Sequence, residues 1–201
     1  MCSEVSDGYA RRAMEYAEHL GSMAAVHPSD RQLVDTWAAS IVGQVIDAGC
    51  GPGHWTHHLV QQGLSASGVD LVPDFIDRAR TSYPGVPFDV GNLDAIDVAD
   101  GTVGGVLSWY SLIHHEPDTI QVPLGEFARV ICPGGGLLIG FFEGPKIESF
   151  DHAVVTAYHW PTDALSHELR VAGFDIVEAH TRTGLHHRPH GAVVARRADT
   201  P

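Results

Sequence analysis

Val45-Ile46-Asp47-Ala48-Gly49-Cys50-Gly51-Pro52-Gly53 is a short, largely apolar run that breaks into three glycines, each separated by one residue. Such a run predicts a buried strand ending in a glycine-rich turn that opens a helix. The glycines let a ligand approach the backbone closely, and the helix that follows offers free N–H groups to an anion. Two details narrow the ligand. A dinucleotide fingerprint, GxGxxG, would place its third glycine where this chain has His54, which disfavours nicotinamide and flavin. Asp47 stands at the strand's end, two residues before the first glycine, where its carboxylate repels pyrophosphate and attracts an ammonium group. A zwitterionic amino acid would present its amine to Asp47 and its carboxylate to the loop N–H groups. The plainer alternative is that Asp47 only caps or braces the loop.

Around this unit, strands and helices alternate. The pattern predicts strands at 44–48, 66–70, 87–90, 103–109 and 136–142, with helices at 54–62, 73–83 and 120–130. Pro73 is placed at a first helical turn. Apolar strands separated by helices imply an α/β fold: a doubly wound, mostly parallel sheet covered on both faces, with its ligand crevice at the strands' C-terminal ends. Two helices precede the first strand, one over residues 9–20 capped by Ser6 or Asp7, the other after Ser29 and Asp30. The last third reads as a loop over 143–161, a helix over 162–172, and two strands, 174–182 and 192–196, paired antiparallel.

Asp70 closes the next strand, 21 positions beyond Gly49. An acid at that spacing is placed to accept from both ribose hydroxyls, although it also fits a cap before Pro73. A ligand with an amino-acid end and a ribose matches S-adenosylmethionine.

Composition sets outer limits. The 201 residues suffice for one domain that buries roughly 70% of its unfolded-chain surface, and no repeat or linker divides them. With 44% hydrophobic and 18% charged residues the chain is neither disordered nor a membrane bundle. Twelve Lys and Arg against 25 Asp and Glu give a net charge of -13, which repels nucleic acid and anionic lipid. The three cysteines, Cys2, Cys50 and Cys132, form neither a disulfide framework nor a CxxC metal pattern. With no leader-like start and no apolar run near the ~18 residues of a membrane helix, a cytoplasmic protein is expected. The 14 histidines include three adjacent pairs, but His54, His57 and His58 lack a carboxylate or cysteine partner at zinc-site spacing. Glu116 and Asp118 lack a third oxygen ligand for magnesium. No metal is assigned.

From residue 44 to the last strand the sequence resembles the class I S-adenosylmethionine-dependent methyltransferases. Asp47-Ala-Gly49-Cys-Gly51-Pro-Gly53 matches their DxGxGxG loop, Asp70 their ribose-binding acid, and Leu71 the apolar residue that packs on adenine. Phe88-Asp-Val-Gly91-Asn92-Leu93 resembles the segment after the third strand, with Asn92 where the family usually has an acid facing the adenine amine; an amide oxygen accepts the same bond. Ser108-Trp109-Tyr110-Ser111 resembles the fourth-strand segment, and Pro133-Gly134-Gly135-Gly136 the turn into the fifth strand. The resemblance implies a seven-stranded sheet ending in an antiparallel hairpin. It also implies a cofactor site of Asp47, Gly49, Cys50, Gly51, Gly53, Asp70, Leu71, Asn92, Leu93, Ser108 and Trp109. Residues 1–201 are then one domain: a helical cap over the site (1–40), a cofactor-binding core (44–142) and an acceptor side (143–201).

The resemblance says little about the acceptor. His114, just beyond the fourth strand, is placed to act as base if the acceptor is a hydroxyl or a protonated amine, and Tyr110 is a second catalytic candidate. Methyl transfer from a sulfonium is an in-line displacement governed by positioning and water exclusion, so a base is not obligatory. Tyr9, Tyr16 and Tyr158 are candidates for the acceptor pocket. The Asn-Pro-Pro-Tyr segment of DNA amino-methylases is absent, and no large recognition domain is inserted, so a small-molecule acceptor is expected, with a protein side chain as a lesser possibility. A non-catalytic S-adenosylmethionine-binding protein of the same fold is the alternative; a nucleotide-dependent oxidoreductase is opposed by His54 and Asp47.

Overall fold

The computed structural model describes residues 22–152, 155–184 and 187–199. Its strands are β1 (Val45–Ala48), β2 (Ala66–Asp70), β3 (Phe88–Val90), β4 (Val103–Trp109), β5 (Ile131–Glu143), β6 (Glu148–Phe150), β7 (Ala157–Trp160), β8 (Phe174–Gly184) and β9 (His187–Arg197). Helix α1 (Pro28–Ala38) precedes β1, α2 (His54–Gln61) and α3 (Pro73–Ser82) follow β1 and β2, α4 (Gln121–Val130) precedes β5, and α5 (Thr162–Val171) precedes β8. The expected helix at 9–20 lies outside the described residues.

Strand pairing gives the order β3-β2-β1-β4-β5-β9-β8, in which β9 alone runs opposite to the other strands. All four residues of β1 are buried, as a central strand covered on both faces requires. The period-two alternation of side chains sorts the core into two layers. Ile46, Val106, Leu137 and Ile139 pack on one face with Leu124 and Phe127 of α4 and Leu165 and Leu169 of α5. Val45, Leu107 and Leu138 pack on the other with Val34 and Trp37 of α1 and Trp55 and Leu59 of α2. β1 lies between β2 and β4, so the direction of winding reverses there and a crevice opens at the C-terminal ends of β1 and β4.

The sheet has nine strands where seven are expected. The two extra strands arise in the stretch read as a loop, 143–161. β5 outruns β4, and its last residues need a new partner for their backbone groups. β7 supplies it, pairing parallel with Phe142 and Glu143, and β6 pairs antiparallel with β7. The terminal hairpin is also longer than its apolar pattern, reaching Gly184 and starting again at His187, because backbone pairing continues past the buried segment. Among the described residues no helix is long and apolar enough to cross a membrane.

Candidate functional site

Where β1 ends, the chain turns at once. The N–H groups of Gly49 and Cys50 both donate to the Val69 carbonyl, at 2.7 and 3.1 Å, which fixes the loop against β2. Gly49 has φ +79°, and a Cβ there would stand 2.2 Å from Cβ of Ser111, so packing against the turn after β4 demands glycine. At Gly51, φ is +53° and a Cβ would meet nothing within 4 Å, so this backbone stands open to the crevice. Asp70 binds the loop from the other side: Oδ2 accepts from the Gly51 N–H at 2.8 Å and Oδ1 from the Val72 N–H at 2.9 Å. Burial raises the Asp70 pKa against these bonds.

Asp47 is only 1% exposed. Its Oδ2 accepts the Thr56 hydroxyl at 2.6 Å, which ties the end of β1 to α2. Burial pushes its carboxyl from 3.8 to about 7, against the opposing Thr56 bond and with a further push from the Asp70 charge.

A cavity of about 500 Å³ lies against this loop. Asp47, Gly49, Cys50 and Gly51 form one wall, and His54 and Trp55 at the start of α2 extend it. Trp109, Tyr110, Ile113 and Phe142 form the second wall. His27 and Asp30 of the α1 region, His152, Arg182 and His190 also line it. The structure thus brings together, in one space, the sequence-selected residues Asp47, Gly49, Cys50, Gly51, Trp109 and Tyr110.

The other selected residues fall outside this lining. Gly53 is the N-terminal cap of α2, with φ +85°. Asp70 and Leu71 end β2; Asn92 and Leu93 follow β3. Asn92 Oδ1 accepts from the Asp94 N–H at 3.0 Å, and Leu93 packs in the core. Ser108 is fully buried, with its hydroxyl 2.7 Å from that of Ser111. Tyr158 packs against the core from β7. Tyr9 and Tyr16 lie outside the described residues. His114 is 8% exposed, and its Nδ1–H donates to the Thr156 carbonyl at 2.8 Å. Burial lowers its pKa, opposed by that bond. Its ring lies 5.2 Å from that of His152, which does line the cavity.

Several lining residues had no local signature. Arg182 and His190 are cross-strand partners in the β8–β9 hairpin. Their position follows from the register of an antiparallel pair that outruns its apolar core, and carrying that register past residue 182 would have found them. The Tyr110 hydroxyl bonds His190 Nδ1, and Arg182 Nη2 donates to Asp30 Oδ2 at 2.8 Å. Burial, reinforced by the Asp30 charge and opposed by Arg182, raises the Tyr110 pKa, so its hydroxyl stays protonated. Tyr110 also has φ +60°, a strained value for a tyrosine, at the point where β4 turns into the site. Burial lowers the pKa of His54 to about 4, with His58 adding to the shift, so His54 is neutral near pH 7.

The profile of the methyltransferase domain family matches residues 45–135. The chain is 23% identical to malonyl-[acyl-carrier protein] O-methyltransferase of Erwinia billingiae over 96% of its own length and 85% of that protein's. It is 29% identical to an uncharacterized methyltransferase of Mycobacterium tuberculosis, of which it spans 51%. Among solved structures, 1,6-didemethyltoxoflavin-N1-methyltransferase of Burkholderia thailandensis, with 1,6-didemethyltoxoflavin and S-adenosylhomocysteine bound, superposes with a TM-score of 0.79 at 21% identity, covering 99% of this chain and 91% of that one. The glycine loop, the sheet order and these relatives agree on an S-adenosylmethionine-dependent methyltransferase.

Proposed function

We propose that the chain methylates a small-molecule acceptor held in the 500 Å³ cavity. The observation that carries this reading is that a single space joins the Asp47–glycine loop to the aromatic walls of Trp55, Trp109, Tyr110 and Phe142. When bound, the cofactor supplies an electrophilic methyl group on a sulfonium. Asp47 accepts from its ammonium, and the backbone at Gly49, Cys50 and Gly51 approaches its amino-acid end, with Gly53 opening α2 behind them. Asp70 has given two acceptor positions to backbone N–H groups and offers those remaining to the ribose hydroxyls. Leu71 packs on the adenine, Asn92 and Leu93 meet its edge, and Ser108 and Trp109 bound the site at the end of β4.

On the acceptor side the residues orient and exclude water, which is most of what an in-line displacement needs. Tyr110 faces the acceptor. His114, its Nδ1–H committed to Thr156, has Nε2 as its basic nitrogen, and its lowered pKa keeps that nitrogen unprotonated near neutrality. Tyr158 borders this side. That the Burkholderia neighbour is a methyltransferase with 1,6-didemethyltoxoflavin bound supports a small-molecule acceptor.

Calorimetric titration with S-adenosylmethionine and S-adenosylhomocysteine, with NAD as control, tests the site. Dissociation constants of about 1–100 μM for the sulfur compounds and no heat with NAD are expected. Transfer of labelled methyl to molecules below ~1 kDa in a cell extract then separates an enzyme from a binding protein of the same fold. No binding of either sulfur compound overturns the residue assignments.

A further inference from the structure

Asp30, Tyr110, Arg182 and His190 form a wall of the cavity to which the proposed function assigns no cofactor contact. These residues also line a second cavity of about 250 Å³ that adjoins the first, so the wall has ligand-sized space on both sides. Two of the four form an ion pair and two a hydrogen bond, across 152 and 80 residues of chain. One donor in the wall is left over. Arg182 Nε is buried and has no hydrogen-bond partner among the described residues, while Nη2 is held by Asp30. A buried guanidinium N–H without an acceptor is costly unless a ligand provides one.

Resting on the function proposed above, we propose that Arg182, fixed in orientation by Asp30, is a specificity-determining residue that binds an anionic oxygen attached to a planar ring of the acceptor. The ring follows from the neighbouring walls: Tyr110 meets Trp109 edge-on at 5.5 Å and lies tilted against Phe142 at 5.2 Å, and these packed rings offer an aromatic surface to a flat molecule. The anion follows from charge. Arg182 is the only Arg or Lys in the described lining. His54 is neutral near pH 7, Asp47 is matched by the cofactor's ammonium, the cofactor's carboxylate is met by the loop N–H groups, and Asp30 is matched by Arg182, so the sulfonium's positive charge is the one left beside the acceptor.

The test uses protein first saturated with S-adenosylhomocysteine and then titrated with 2-naphthoate or its neutral isostere 2-naphthamide. The expected result is at least tenfold tighter binding of the carboxylate, the size of one charge-assisted hydrogen bond. In Arg182→Gln the two probes bind alike, and in Arg182→Lys the preference is partly kept, because lysine keeps the charge but loses the planar fork. Equal binding of both probes by the unaltered protein, no naphthoate binding at all, or a full preference surviving in Arg182→Gln would overturn the proposal. The unaltered protein decides the first two outcomes even if a variant does not fold. Failure to bind S-adenosylhomocysteine in the first step is a different result, and falls on the cofactor site.

Discussion

The two halves of the crevice are built by different means. The half around the glycine loop is made by neighbours in sequence: residues 47–53 turn on themselves, Thr56 reaches back nine positions to Asp47, and Asp70 bonds Gly51. The half around Tyr110 is made by strangers. Arg182 meets Asp30, Tyr110 meets His190 and His114 meets Thr156, each across 42 residues or more. The first half is set by backbone conformation, which suits the widely shared cofactor proposed to bind there. The second is set by side chains on chain segments that vary without disturbing the sheet. Conversely, a local change should ruin the first half through charge or backbone, and a change in the second should be felt mainly by the acceptor.

The largest effect is expected at Asp47. Its folded pKa of about 7 lies above the 3.8 of the unfolded chain, so the folded state holds an extra proton in between. That contribution to stability is complete below about pH 4 and is lost as pH rises through about 7. Above that, the buried carboxylate costs on the order of 4 kcal/mol. Asp47→Asn should therefore melt at a higher temperature than the unaltered protein near pH 8, yet bind S-adenosylhomocysteine more than tenfold more weakly, since a charge-assisted bond is worth about 1.5–3 kcal/mol. In the unaltered protein, affinity should drop about tenfold per pH unit below about 7, a slope absent from the variant. Calorimetry across that range, with melting curves, checks both signs. A variant that loses stability and keeps affinity would return Asp47 to a bracing role.

The same contrast explains what could be read before the structure. The strand at 66–70 and the fourth strand, at 103–109, stand where the apolar pattern puts them, because a central parallel strand is marked by its own burial. The β6–β7 hairpin was missed because nothing in 148–160 demands it; the demand comes from the overhang of β5, a property of another segment. Likewise Asp47 and Gly51 announce themselves by spacing, whereas Arg182 and His190 become neighbours only through a register that bulges between Arg182 and Gly184.

A middling effect is expected at Gly49. Alanine there must hold φ near +79° and place its Cβ 2.2 Å from that of Ser111, so strain and overpacking add. Gly49→Ala should lose roughly 3 kcal/mol, or ~6–12 °C in melting temperature for a chain of this size. Thermal denaturation measures it. A shift under ~2 °C would mean that the loop and the turn after β4 are not packed rigidly together.

The smallest effect is expected across the crevice, at Tyr110. Tyr110→Phe keeps the ring between Trp109 and Phe142 and keeps the strained backbone, and it deletes only the hydroxyl that bonds His190. One hydrogen bond in a partly buried site is worth about 1 kcal/mol, so the melting temperature should fall by ~2–4 °C. Affinity for S-adenosylhomocysteine should stay within about twofold, since the lost hydroxyl belongs to the acceptor wall. The same calorimetric titration then separates the halves. If Tyr110→Phe weakens the cofactor as much as Asp47→Asn does, the two walls act as one unit. If it leaves the cofactor untouched while methyl transfer slows, the acceptor side has its own chemistry, and the Tyr110–His190 pair is where to look for it.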